Sequence, residues 1–566
     1  MNFTHLNTHS KASMLYGSAD IKEIVDRAKQ LGQTAVALTD YSNVFNAINF
    51  YKEATSAGIK PILGVDIYFC EDAEQLKMQR VRQVHHLVLL AETEKGWQKI
   101  TRLISSAHDE DHFFYSPRID FKLLEQYKEG VICLSGGSLD GAISYYLYNK
   151  VGDDGEVRDS VAIFKAEGLV RRFMKIFDAD HFFLEVQNNN LPEQKDINGR
   201  LRTIAKKYGL CTVASNNVHY VLPSDAEAHK TLLEMTENKF SRATYSNFIP
   251  EEYYLKTREE MEQAGFTKEE LDITNEIADR CNVKIDIKKR RLPKYQFVPE
   301  GETSMSYLRK IAAQGLSNLK LVGGNDVETY EQRLERELND IEDMGFADYF
   351  LIVHDVVSWV LKKNILIGRG RGSAGGSLVS YSLGITQIDP MKYGLIWERF
   401  LNKGRGGLPD IDTDIPRSHR QEVLEYVRER FGIKNVAQLV TLGGLQAKAV
   451  LKEVFRVYNM PFDEANKITA LVPAKNDEHV PISLQEAIDT VPELKAYYDR
   501  YTPWFKVALA LEGCYKSTGI HASAVVISDV PFEESAYPLT RAKDGDLIFG
   551  WDMNTVDSLS LLKLDI

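Results

Sequence analysis

Pro409-Asp410-Ile411-Asp412-Thr413-Asp414-Ile415 places a carboxylate at every second position. In an extended strand successive side chains alternate faces, so this spacing predicts all three aspartates on one side. Carboxylates held that close repel, and their pKa values rise unless a cation neutralises them. Clustered hard oxygen donors select Mg²⁺. By spacing alone the run reads more readily as an exposed acidic loop. A strand, however, needs a reason to gather charge on one face, and nucleotidyl or phosphoryl transfer with two metal ions supplies one.

Upstream lies Gly368-Arg369-Gly370-Arg371-Gly372-Ser373-Ala374-Gly375-Gly376-Ser377, followed by the helix-like Leu378–Leu383. Glycines allow close backbone approach, and the N–H groups of the turn and helix start can hold phosphate oxygens. Arg369 and Arg371 add positive charge. The loop is neither a Walker A motif, since no Gly-Lys-Ser/Thr ends it, nor a dinucleotide fingerprint. A glycine loop by itself is more often a structural turn; the interleaved arginines and serines tilt the reading to phosphate. Downstream, Leu445–Arg456 predicts an amphipathic helix with Lys448, Lys452 and Arg456 at i, i+4 and i+8. Such a stripe can follow a nucleic-acid backbone, although most such stripes are solvated faces. The last run, Leu561–Ile566, sets Lys563 and Asp565 on one strand face and leucines on the other, a surface ion pair or part of a phosphate and metal site.

Farther out, residues to about 275 alternate helical patterns with the apolar runs Thr34–Leu38, Leu87–Leu90, Val131–Leu134 and Cys211–Ala214. Runs apolar on both faces read as buried parallel strands of an α/β barrel-like domain. His5, His9, Asp40, His85, His86 and His219 hint at a metal centre over the strand ends, though isolated histidines are more often structural. The basic stretch Lys288–Lys294, broken by Pro293, reads as a linker, with a solvated loop and a DNA-facing role equally served. Helical periodicity dominates from about 441 to 515, and strand-like runs return at Ala524–Ile527, the order expected of a helical insert in an α+β domain.

Bulk properties set the frame. A chain of 566 residues exceeds what one hydrophobic core holds, so three or four domains are expected. With 44% hydrophobic and 27% charged residues the composition is that of a globular protein. No secretory signal or long apolar run occurs, and Cys70, Cys133, Cys211, Cys281 and Cys514 form no Cys-x-x-Cys pair, so a reduced cytoplasm is expected. A net charge of -12 argues against a non-specific nucleic-acid coat, so any DNA contact must be local.

In this order the motifs resemble the alpha subunit of bacterial DNA polymerase III, the C-family replicative polymerases. The anchors are Gly345–Val353, the Gly368–Ser377 loop, Trp397–Asn402, Pro409–Asp414 and Leu562–Asp565. The resemblance implies a multidomain α/β and α+β protein: a distorted βα barrel of polymerase-and-histidinol-phosphatase (PHP) type over 1–275, a nucleotidyltransferase-like palm over 276–440, a helical thumb over 441–515, and a second palm segment over 516–566. It implies template-directed DNA synthesis, with two Mg²⁺ ions on the catalytic residues Asp412, Asp414 and Asp565. Gly372, Ser373, Arg369, Arg371, Arg399 and Lys563 are implied at the nucleotide. Lys448, Lys452 and Arg456 fall at the start of the thumb, facing duplex DNA.

Two departures matter. Asn7-Thr8-His9 stands for the His-x-His of metal-loaded PHP domains and Asp40-Tyr41 for their Asp-His, while Asp66, Gly137 and Asn217 replace a usual Glu, Cys and Asp. Only His9, Asp40, His86 and His219 remain, so a structural PHP domain without strong metal binding is expected. Family members also continue into fingers, a clamp-binding region and an oligonucleotide-binding fold, whereas this sequence ends one residue past Asp565. The expectation is therefore a fragment or one product of a split gene, bacterial or phage-encoded and cytoplasmic, whose partners are primer-template DNA, dNTPs, a C-terminal polymerase polypeptide and other replisome proteins. Competing readings are a PHP phosphoesterase or 3′-5′ exonuclease, and a non-catalytic DNA-binding or assembly subunit.

Overall fold

The structure is a computed structural model that describes residues 3–149, 158–236, 250–287, 289, 291–319, 327–404, 409–476 and 478–565. Lys288 and Arg290 of the basic stretch, and Ile566, lie outside the described residues. The chain divides into two compact units, one of Met1–Ile285, Leu442–Gly519 and Ala536–Gly550, the other of Asp286–Thr441, Ile520–Ser535 and Trp551–Ile566.

The first unit is built on a sheet whose strands β1 (Ala35–Leu38), β2 (Lys60–Phe69), β3 (His85–Ala91), β4 (Val131–Leu134), β5 (Phe182–Gln187) and β6 (Thr212–Ser215) lie side by side in chain order. All four apolar runs named above are strands, but not all are parallel. β1–β2, β4–β5 and β5–β6 are parallel, whereas β3 is antiparallel to both β2 and β4. A run that is apolar on both faces reports burial, not direction, which explains the error. The extended N-terminal segment joins the sheet edges: Ala37 and Thr39 donate to the carbonyls of His5 and Thr8, and Val218 donates to Asn7. That closure makes the distorted barrel. Its helices are set by local signals such as the capping box of Thr267 and Glu270, which satisfies the free N–H groups at the start of Lys268–Arg280.

The same unit holds the helix Ala447–Val457. Its apolar face, Val450, Leu451, Val454 and Phe455, is buried with Ala228 and Leu232, while Lys448, Lys452 and Arg456 are exposed, as the i, i+4, i+8 spacing requires. Arg456 is not independent: it pairs with Glu453 at 2.9 Å and donates to the Met235 carbonyl.

Further strands are β7 (Val436–Gly444), β8 (Tyr515–Ile527), β9 (Leu539–Arg541), β10 (Leu547–Phe549) and β11 (Lys563–Asp565). In the second unit β11 runs antiparallel to β8, pairing Lys563 with Val526 and Asp565 with Ala524, and β7 lies on the other side of β8. The period of two holds in β11: Leu564 is buried, while Lys563 and Asp565 face the half-exposed side. The core beneath joins Leu564, Val525 and Ile527 to Phe350, Leu351 and Val357 of the helix Ala347–Lys362 and to Leu338 and Ile341 of the helix Val327–Met344. Of the basic stretch, Arg291 is tied down, its backbone N–H donating to Ser560 and its guanidinium to the Asp286 carbonyl. Among the described residues no single helix is long and apolar enough to cross a membrane.

Candidate active site

Residues 409–415 do not form a strand. Their contact with the sheet is an isolated parallel bridge, Asp412 to Asp565 at the tip of β11. Ile411 points into the core, and its backbone N–H donates to the Tyr349 hydroxyl at 3.0 Å. This single anchor turns Asp410 and Asp412 toward β11. One carboxylate oxygen from each of Asp410, Asp412 and Asp565 lies within 4.8 Å of the other two. The expected trio was Asp412, Asp414 and Asp565; the close group has Asp410 in place of Asp414. Without a regular strand, every-second spacing does not hold all three side chains in one line. Asp414 stays near through a cation: Arg371 reaches Asp412 at 3.1 Å and Asp414 at 3.2 Å.

Like charges near 4 Å cost roughly 1 to 4 kcal/mol per pair, from the hydrated to the half-buried limit. The Asp412 carboxyl accordingly sits above the usual carboxylate range, raised by burial and by Asp410 and Asp565 against the pull of Arg371 and Lys563. Burial opposes the charge on Lys563, yet Asp565, Asp557 and Asp410 hold its ammonium above the ordinary lysine value. Its Nζ lies 3.2 Å from Asp565 and 3.7 Å from Asp557. Tyr349→Phe would strand the Ile411 N–H in a buried place and is expected to cost about 1–3 kcal/mol in urea unfolding and to loosen the cluster. An unchanged unfolding midpoint would show that Tyr349 is not the anchor.

The glycine loop is locked against the acidic run. Gly368 donates to the Asp414 carbonyl at 2.9 Å, and a Cβ on Gly368 would meet the Asp414 Cβ at 2.8 Å. Gly372 has φ +67°, and a Cβ there would lie 3.6 Å from Asp412 Oδ2, so its backbone faces the cluster. Gly372, Ser373, Arg369 and Arg371 are exposed. Arg399, at the end of the turn Trp397–Arg399, is exposed too, and that turn is pinned by buried Trp397, whose Nε1 donates to Asp340. The start of the helix Leu378–Ser382, expected to offer N–H groups to phosphate, is buried and already filled: Val379 donates to Glu337 and Ser380 to Ser377. The exposed part of the loop therefore includes Gly372 and Ser373, while its helical exit is closed. Asp410 was legible in the motif but unassigned, and Tyr349 stood in an anchor motif without a role.

In the first unit the residues of the degenerate metal motif are brought together and engaged with protein groups. Asp40 accepts from the Ser10 N–H and from the hydroxyls of Ser10 and Ser13, each at 2.7 Å. His9 Nε2 donates to Asn217 Oδ1 at 2.9 Å, its ring stacked on Tyr41. The Tyr41 hydroxyl donates to His219 Nε2, and His219 Nδ1 donates to the Asn217 carbonyl. His86 donates to Asp66 at 2.6 Å; against the effect of burial, Asp66 and Asp140 hold it protonated, pushed up to about 9. Burial drives His9 down to about 3 and raises Asp40 to about 6. Tyr41 bonds His219, Asn217 bonds His9 and Asp66 bonds His86, so each of these rings has a nitrogen engaged by a protein group.

Two family models match: residues 5–189 match the PHP domain, and residues 306–566 match the bacterial DNA polymerase III alpha NTPase domain. Among curated proteins, DNA polymerase III subunit alpha from Aquifex aeolicus is 37% identical over 100% of this chain and 51% of its own length. The same subunit from Thermus aquaticus is 37% identical over 100% of this chain and 50% of its own length, and that from Treponema pallidum 35% identical over 100% and 47%. The chain thus spans about half the length of the curated relatives it matches. With a PHP barrel, a glycine loop and a carboxylate cluster in this order, the chain belongs to the bacterial DNA polymerase III alpha family.

Proposed function

We propose that this chain is the polymerising portion of a replicative DNA polymerase, adding dNTPs to a primer 3′-end on a DNA template. The observation that carries the reading is the meeting of Asp412 with Asp565, residues far apart in sequence, beside Asp410 and the glycine loop. Asp410, Asp412 and Asp565, with Asp414 one guanidinium away, are a hard oxygen set suited to two Mg²⁺ ions. When bound, such ions supply charge neutralisation at the primer 3′-oxygen and at the leaving pyrophosphate. Gly372 and Ser373 present backbone N–H groups to the triphosphate, Arg371 and Lys563 add positive charge, and exposed Arg369 and Arg399 extend it. Lys448, Lys452 and Arg456 form a face suited to DNA phosphates. In this reading the first unit comprises a PHP domain and a helical thumb, and the second is the palm. The chain's partners in this reading are primer-template DNA, a C-terminal polymerase polypeptide and other replisome proteins.

Reconstituting the chain with the remaining family segments, labelled primer-template, dNTPs and Mg²⁺ is expected to yield template-directed extension. A reconstituted complex that binds primer-template but never extends it would refute the reading. A phosphoesterase or exonuclease reading of the first unit draws no support from the Tyr41 cluster. In an Asp412→Ala, Asp565→Ala chain, elemental analysis is expected to find less than one equivalent of zinc or manganese; a full equivalent, with exonuclease activity lost on His9→Ala, would reverse this.

A further inference from the structure

Glu337 is a fully buried carboxylate on the helix Val327–Met344. One oxygen accepts from the Val379 N–H at 3.0 Å and from the Ser377 hydroxyl at 3.2 Å; the other accepts from Arg333 Nε at 2.6 Å. Arg333 continues the chain of contacts, its Nη2 donating to the Gly376 carbonyl at 3.0 Å. Burial raises the Glu337 carboxyl above its ordinary value, against the Val379 and Leu378 amides and Arg333. A charge desolvated to this degree is expensive unless every lone pair is used, and removing a partner costs more than replacing the pair.

The location of these bonds gives them meaning. Gly376, Ser377 and Val379 are the exit of the glycine loop, whose entrance is held separately by Gly368 on the Asp414 carbonyl. Glu337 also occupies the Val379 N–H and the Ser377 hydroxyl, so these donors are closed to an anion, which is left to the exposed Gly372 and Ser373. The exit is also packed closely, since a Cβ on Gly376 would meet the Ile396 carbonyl at 2.7 Å.

We propose that Glu337, braced by Arg333, is a positioning residue of the nucleotide site, fixing the exit of the glycine loop and confining the triphosphate to Gly372 and Ser373. The proposal rests on the reading of this loop as a triphosphate site. Neither residue touches substrate; both act through the loop.

The test uses the full chain carrying Glu337→Gln, with Arg333→Met as a second variant. Amide hydrogen exchange over 368–383 needs no ligand and is expected to quicken at least tenfold in Glu337→Gln, while the rest of the second unit is unchanged. Titration with a fluorescent dATP analogue and Mg²⁺ is expected to give affinity weakened about tenfold, the loss of one charged hydrogen bond. In reconstituted extension KM for dNTP rises by a similar factor and kcat stays within about twofold. Arg333→Met, which leaves the buried Glu337 charge without its ion-pair partner, moves all three in the same direction. Unchanged exchange and affinity in a folded variant would overturn the proposal, as would a fall in kcat at constant KM, the mark of a packing role alone. A wild-type chain that binds no nucleotide sinks the site itself, a failure the ligand-free exchange measurement tells apart from that of Glu337.

Discussion

Asp412→Ala and Asp565→Ala are each expected to lower reconstituted primer extension by roughly 10³-fold or more, with KM for dNTP little changed. The size follows from the role: stabilising transition-state charge through a metal is worth several kcal/mol, and each 1.4 kcal/mol is about tenfold in rate. Both carboxylates belong to the group of three whose oxygens lie within 4.8 Å of one another, so either substitution removes a ligand from the cluster. Asp410 and Asp414 are expected to differ. Both are exposed, but Asp414 lies against Gly368 of the glycine loop and shares Arg371 with Asp412. Asp414→Asn should therefore lose more rate than Asp410→Asn. Steady-state kinetics across a Mg²⁺ titration measure both, and a larger loss in Asp410→Asn would reverse the ranking.

Acid should destabilise the first unit steeply. His5, His108 and His229 are fully buried, and burial lowers each from 6.5 to about 4. A depressed histidine takes its proton in the unfolded chain first. Its contribution is therefore intact above the unfolded value of 6.5 and lost as pH falls toward about 4, at roughly 1.4 kcal/mol per pH unit. Three such residues give about 4 kcal/mol per unit. Asp40 opposes them: raised to about 6 by burial, it takes a proton in the folded state first and recovers roughly 1.4 kcal/mol per unit below that pH. The net slope is near 3 kcal/mol per unit, which predicts a melting temperature lower by on the order of 5 to 10 °C at pH 5 than at pH 6.5. Circular dichroism melts measure it. His108→Gln, which keeps an acceptor for the Arg541 N–H, should flatten the curve; a melting temperature flat from pH 6.5 to 5 would contradict the account.

What the sequence revealed divides along physical lines. Apolar runs located β1, β3, β4 and β6 because burial is written in composition, but strand direction depends on connections that composition does not carry. The acidic run was found by its spacing, yet its geometry was misjudged: one bridge and the Tyr349 anchor, not a strand, decide which carboxylates meet. The glycine loop was legible in its composition, but the burial of its helical exit was not. Glu337 did leave a signal. It falls among Tyr330, Leu334, Leu338 and Ile341, the buried stripe of its helix, and a carboxylate at such a position calls for a partner.

The central claim is that separate chain segments build one divalent-cation site, and anomalous diffraction from crystals soaked in Mn²⁺ tests it most directly. The account predicts manganese peaks at about 2.0–2.2 Å from carboxylate oxygens of both Asp412 and Asp565. Crystals saturated with Mn²⁺ that show no peak between these two residues would contradict it.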